Sequence, residues 1–100
     1  MSNLVIEGGK VELHKDNGSF IRKIGDNNVF YADINKDGSK VLITTFKGNV
    51  ELRSDEGSFI RTIGDGNALL ARFTTEGIMV TTCKSKIELR NENGEFLHLV

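Results

Sequence analysis

The sequence predicts an all-β protein assembled from a repeated four-stranded antiparallel unit. Three observations predict it: a repeat of about 38 residues, short apolar runs of strand length, and turn signals between the runs. Repeats are sought first, because they dictate the architecture of the whole chain. Val11-Glu12-Leu13-His14 recurs as Val50-Glu51-Leu52-Arg53 and again as Ile87-Glu88-Leu89-Arg90. Gly18-Ser19-Phe20-Ile21-Arg22-Lys23-Ile24-Gly25 recurs as Gly57-Ser58-Phe59-Ile60-Arg61-Thr62-Ile63-Gly64, with a diverged third copy from Gly94 to Val100. The copies are offset by 39 and then 37 residues. The two-residue loss falls where Asn35 to Lys40 is answered by Thr74 to Gly77.

Within one period four runs appear, Val29 to Ile34, Val41 to Phe46, Asn49 to Ser54 and Ser58 to Ile63. Each is rich in β-branched or aromatic residues and ends at a Gly-containing gap, as strands do. No window carries an apolar stripe of helical period long enough for a helix. Lys36-Asp37-Gly38-Ser39, Asp16-Asn17-Gly18, Asp55-Glu56-Gly57 and Glu92-Asn93-Gly94 supply hairpin turns. If the last three are three-residue loops, Glu12 faces Arg22, Glu51 faces Arg61 and Glu88 faces His98. Each such cross-strand pair contributes roughly 0.2–1 kcal/mol. Phe20, Phe59 and Phe96 are expected to fill equivalent core positions, as are Leu13, Leu52 and Leu89.

Four-stranded units at this period are the sequence sign of β-propeller blades. The stretch Phe30-Tyr31-Ala32-Asp33-Ile34-Asn35-Lys36-Asp37-Gly38-Ser39-Lys40-Val41-Leu42 resembles the F-S-x-D-G-x-x-L hairpin of WD-repeat blades. Val50-Glu51-Leu52-Arg53 stands where that family has its third strand. The Trp-Asp dipeptide and the Gly-His pair of true WD repeats are missing. The resemblance therefore implies a fold and transfers no functional residue.

The repeat divides the chain into a partial blade over 1–25 and full blades over 26–64 and 65–100. Met1 to Glu7 aligns with Lys40 to Phe46, so the first unit begins at its second strand. Three strands, then four, then four make about two and three-quarter blades, too few to close a ring. Homo-oligomerisation is expected to complete it, most simply as a dimer of six blades. Three chains would give nine, above the usual range of about four to eight. The rivals are a fragment of a longer propeller and an open solenoid. The uncovered outer faces are expected to carry Val5 and Leu13 at one end, and Val80, Leu89 and Leu97 at the other.

Thirteen basic and fourteen acidic side chains leave a net charge of -1, without the basic stripe of a nucleic-acid binder. No apolar run approaches the roughly 20 residues of a membrane span. The N-terminus lacks the cationic segment of a secretion signal. With Cys83 as the lone cysteine, these features point to a cytoplasmic protein. Asn17-Gly18-Ser19 matches a glycosylation acceptor and is read as a turn.

Asp33-Ile34-Asn35-Lys36-Asp37-Gly38 matches the opening half of a calcium loop, but Thr44 stands where the bidentate Glu belongs. It is read as a hairpin turn. His14 and His98 align with Arg53 and Arg61, which suits a polar face better than a metal site. Cys83 aligns with Phe46 and is expected to be buried. Gly8-Gly9 and Gly64-Asp65-Gly66 lie between strands, where no helix follows to bind a phosphate. No catalytic, metal or cofactor set emerges, and no ligand-binding residue is singled out. The leading reading is a non-catalytic binding or scaffold module. A propeller lectin is the alternative, although the chain has no Trp to stack a sugar. The third is an enzyme with an inter-subunit site using Tyr31, Asp33 and Arg72 of the inner strands.

Overall fold

The computed structural model describes residues 3–25 and 28–100. Met1, Ser2, Asp26 and Asn27, including one expected blade boundary, lie outside the described residues. Eleven strands follow one another: β1 Asn3–Glu7, β2 Lys10–His14, β3 Phe20–Gly25, β4 Val29–Ile34, β5 Lys40–Thr45, β6 Val50–Ser54, β7 Phe59–Ile63, β8 Ala68–Thr74, β9 Gly77–Thr82, β10 Ile87–Arg90 and β11 Phe96–Leu99. They form three antiparallel meanders of three, four and four strands, in the orders β1-β2-β3, β4-β5-β6-β7 and β8-β9-β10-β11. No helix long and apolar enough to cross a membrane occurs among the described residues.

The sheets stack face to face, and the middle one is covered on both sides. Alternation along β5 explains how. Val41 and Ile43 join Val11, Leu13, Ile24, Val29 and Ala32 in one cluster, against the first sheet. Leu42 joins Val50, Leu52, Ile63, Ala68, Ala71, Ile78 and Val80 in the other, against the last sheet. Every residue of Val41–Thr45 is consequently buried, which is why this strand reads as an unbroken apolar run rather than an alternating one. Each fully buried Leu, Ile or Val contributes roughly 1.5–3 kcal/mol relative to exposure.

The expected Glu12–Arg22, Glu51–Arg61 and Glu88–His98 cross-strand pairs do not form. The turns are three-residue loops, with Lys15 N–H bonded to Ser19 O at 2.8 Å and Ser54 N–H to Ser58 O at 2.9 Å. One pair further along, however, each hairpin has a β-bulge. His14 pairs with Phe20 and then Leu13 pairs with Arg22, leaving Ile21 as the extra residue. Ile60 and Leu97 are the extra residues in the other two sheets. A bulge inserts one residue and shifts all later pairs, so Glu12, Glu51 and Glu88 face Lys23, Thr62 and Leu99.

Leu13, Leu52 and Leu89 are equivalent and buried, as expected, at 5%, 1% and 5% exposure. Phe20, Phe59 and Phe96 are also equivalent, but each is half exposed. They precede the bulge and lie outside both core clusters. The first hairpin departs by one residue from its alignment. Glu7 and Lys10 close a two-residue Gly8-Gly9 turn, whereas Thr45 and Asn49 enclose three. Leu4 therefore pairs with Leu13, as Leu42 pairs with Leu52.

Candidate binding surfaces

Each sheet carries the same polar clasp, on β2, β6 and β10 and the turn that follows each. In the middle sheet Arg53 donates from Nε and Nη2 to Glu51 Oε1, at 3.0 and 2.8 Å, and from Nη1 to the Gly57 carbonyl at 2.8 Å. Its guanidinium lies 5.9 Å from the Phe59 ring centroid. Arg90 repeats this with Glu88 at 2.9 Å, the Gly94 carbonyl at 2.9 Å and Phe96 at 5.7 Å. It also reaches Asp65 of the preceding linker at 3.2 Å. In the first sheet His14 takes the arginine's place. Its Nε2 is 3.0 Å from Glu12 Oε1 and its Nδ1 is 3.0 Å from the Gly18 carbonyl. Both partners are acceptors, so both ring nitrogens donate only in the imidazolium form. The Glu12 carboxylate, then the Gly18 carbonyl, raise the His14 pKa above its ordinary value. The repeated Glu, Arg and Phe thus have a structural role.

The two ends of the stack are different surfaces. Pairing places Met79 with Leu89 and Arg72, and Thr81 with Leu70 and Ile87, on the far face of the last sheet. These positions repeat those of Leu42, Leu52 and Val50, which are buried at the next interface. At the other end the free face of the first sheet carries Val5, Glu7, Lys10 and Glu12. Three expectations for these ends are overturned, and one of them is Leu89, which pairs on the far face but is only 5% exposed. Leu13 and Val80 point inward, since each belongs to a cluster between sheets. Val5 and Leu97 are exposed, as expected.

Tyr31 and Asp33 lie on β4 and Arg72 on β8, and the structure does not bring the three together. Asp33 Oδ2 accepts the Phe73 N–H across the sheet interface at 2.8 Å. Arg72 is exposed beyond the last sheet, paired with Met79. The calcium-like loop spends its oxygens on its own turn. Asp37 Oδ1 accepts from Ser39 N–H and Oγ, at 3.0 and 2.6 Å, and Asn35 Oδ1 accepts from Lys40 N–H at 3.0 Å. Those Ser39 bonds hold the Asp37 pKa below the ordinary carboxylate value. Cys83 is exposed rather than buried. It sits in the turn after β9, and its counterpart Phe46, just past the end of β5, is itself 69% exposed.

The two rims differ as well. Beside the 35–39 turn an open groove of about 890 Å³ separates the middle and last sheets, spanned by a 2.7 Å Lys40–Glu92 ion pair. At the opposite rim a notch of about 160 Å³ is lined by Phe30, Thr45, Phe46, Ala68 and Leu69. Phe30 and Phe46 meet edge to face at 5.1 Å. The sequence alone offered one signal for this cluster: Phe30 and Leu69 share a repeat position, and so do Phe46 and Cys83.

The chain matches no protein-family model and no curated protein.

Proposed function

We propose that the chain is a non-catalytic binding or scaffold module, its sheets acting as WD-repeat-like propeller blades and its ring completed by copies of itself. One observation carries this reading: the chain makes the same interface twice and leaves one half of it free at each end. At both internal interfaces, an apolar face from one sheet meets the clasp-bearing face of the next. The far face of the last sheet carries exposed Ile87 and Arg72, half-buried Leu70 and Met79, and Leu89, which is buried within the single chain. The first sheet ends in a clasp face, with Glu12 and His14.

Turn glycines report the same asymmetry. A Cβ on Gly57 would lie 3.4 Å from the Lys23 and Ile24 carbonyls, and one on Gly94 would lie 3.3 Å from Thr62 O. Gly18, at the same repeat position in the first sheet, has nothing within 4 Å. A free face with Ile87 exposed beside half-buried Leu70 and Met79 favours association. Because the two halves are different surfaces, the contact is head-to-tail, and such contacts close into rings or grow into filaments. Two chains, with six blades, are the simplest closed assembly.

The test is Ile87→Glu, which places a charge on the free apolar face without touching either core cluster. Sedimentation should show the variant as monomers with unchanged β-sheet circular dichroism. A variant that sediments like the parent protein would remove this face from the assembly.

A further inference from the structure

The rim notch between the middle and last sheets stands apart from both end faces, and the fold gives no account of its exposed apolar side chains. Phe30, Phe46 and Leu69 are 51%, 69% and 52% exposed and belong to neither core cluster. In the proposed ring this rim remains open, because copies meet through the end faces. A dry cavity of about 150 Å³ is enough to hold a benzene ring, so a 160 Å³ notch has room for one Phe or Leu side chain.

Three lysines lie around the notch. Lys47 follows Phe46 in the β5–β6 turn, and Lys84 and Lys86 lie in the β9–β10 turn. That second turn is tied to the notch through Cys83 N–H, which bonds at 2.8 Å to the carbonyl of Asn67, the neighbour of Ala68. All three lysines are exposed, and none is ion-paired among the described residues. The carboxylates nearest to these lysines in sequence, Glu51 and Glu88, are engaged by Arg53 and Arg90, and Asp65 is engaged by Arg90 as well. The opposite rim mixes Asp37, Asp55, Glu56, Glu76 and Glu92 with Lys36 and Lys40.

We propose that this rim is a docking site for an acidic peptide segment, with one Phe or Leu side chain seated in the notch and flanking carboxylates held by Lys47, Lys84 and Lys86. The apolar anchor supplies affinity, as buried aromatic contacts do at interfaces. The lysines steer the approach and select the charge of the partner. This deepens the binding-module reading by naming the partner chemistry.

The probe is a fluorescent peptide of Asp and Glu with a single central Phe, measured by polarisation, with particle mass recorded on the same samples. Saturable binding is expected. It should fall about tenfold or more for Phe46→Ser, for Lys47→Glu/Lys84→Glu, for a probe with Ala replacing Phe, and on adding salt. The variants should keep the parent mass and circular dichroism. No binding, binding indifferent to the Phe anchor or to Phe46→Ser, or stronger binding of a single-stranded oligonucleotide at this rim would overturn the proposal. If the mass stays oligomeric while the peptide fails to bind, only the docking site falls. A monomeric parent protein would sink the ring reading separately.

Discussion

His14 is where a single residue changes the behaviour of a repeated device. The clasp is permanently charged at Arg53 and Arg90, but at His14 it depends on the imidazolium form. A base whose pKa is raised on folding contributes stability that is fully present below its unfolded value, roughly 6.5. That contribution is lost as pH rises through the higher native value. NMR titration should therefore place the His14 midpoint above that of a model peptide. His14→Arg should flatten the stability profile across the same window, and an unchanged profile would contradict the clasp. The repeated leucine and phenylalanine separate in the same way. Leu52→Ala, at 1% exposure, should cost about 2–5 kcal/mol. Phe59→Ala loses a half-exposed ring and its cation contact, worth about 1–2 kcal/mol. Equal losses in urea titrations would show that Phe59 is core after all. Both residues stood out in the sequence as repeat positions, yet only the leucine was legible as core. Hydrophobicity marked Phe59 as buried, while its real partner, Arg53 across a bulged pair, could not be inferred without the register.

Element boundaries were legible where turn chemistry was explicit and failed where a single residue was added. The four runs of the middle unit match β4 to β7 to within a residue at each end, because Gly, Asn and Asp punctuate them. The bulge at Ile21, Ile60 and Leu97 left no mark, since an extra β-branched or aliphatic residue looks like any other strand residue. Cys83 was misjudged for the opposite reason, a strand extended one residue into a turn. The turn between the second and third strands of each unit offers a direct comparison. Gly48 has φ +89°, and a Cβ there would sit 2.7 Å from Gly66 O, while its own carbonyl accepts the Ala68 N–H at 3.0 Å. Ser85 holds the same place in the last sheet at φ 65°, where no further linker crosses it. Gly48→Ala should be strongly destabilising, because the crossing linker must move as well as the turn. Ser85→Gly should stabilise by about 1 kcal/mol through relief of left-handed strain. Thermal melts of the two variants check both, and a tolerated Gly48→Ala would mean that the linker does not pack as described.

At the scale of the whole molecule, the repeat carried the architecture and the faces carried the surprise. Three sheets of three, four and four strands could be counted from the sequence, because each period contains one set of runs and turns. The sides to which Leu13 and Val80 point could not be, since a strand has two faces and only packing selects between them. Their burial makes the free ends unlike: largely apolar at Leu70, Met79 and Ile87, charged at Glu7, Lys10 and Glu12. A stack ending in two matched halves of its own internal interface should associate, and head-to-tail. Light scattering of the parent protein at micromolar concentration tests this most directly. A single species of twice the 11.1 kDa chain mass, unchanged on dilution through that range, is the predicted result. A stable, folded monomer would contradict the account.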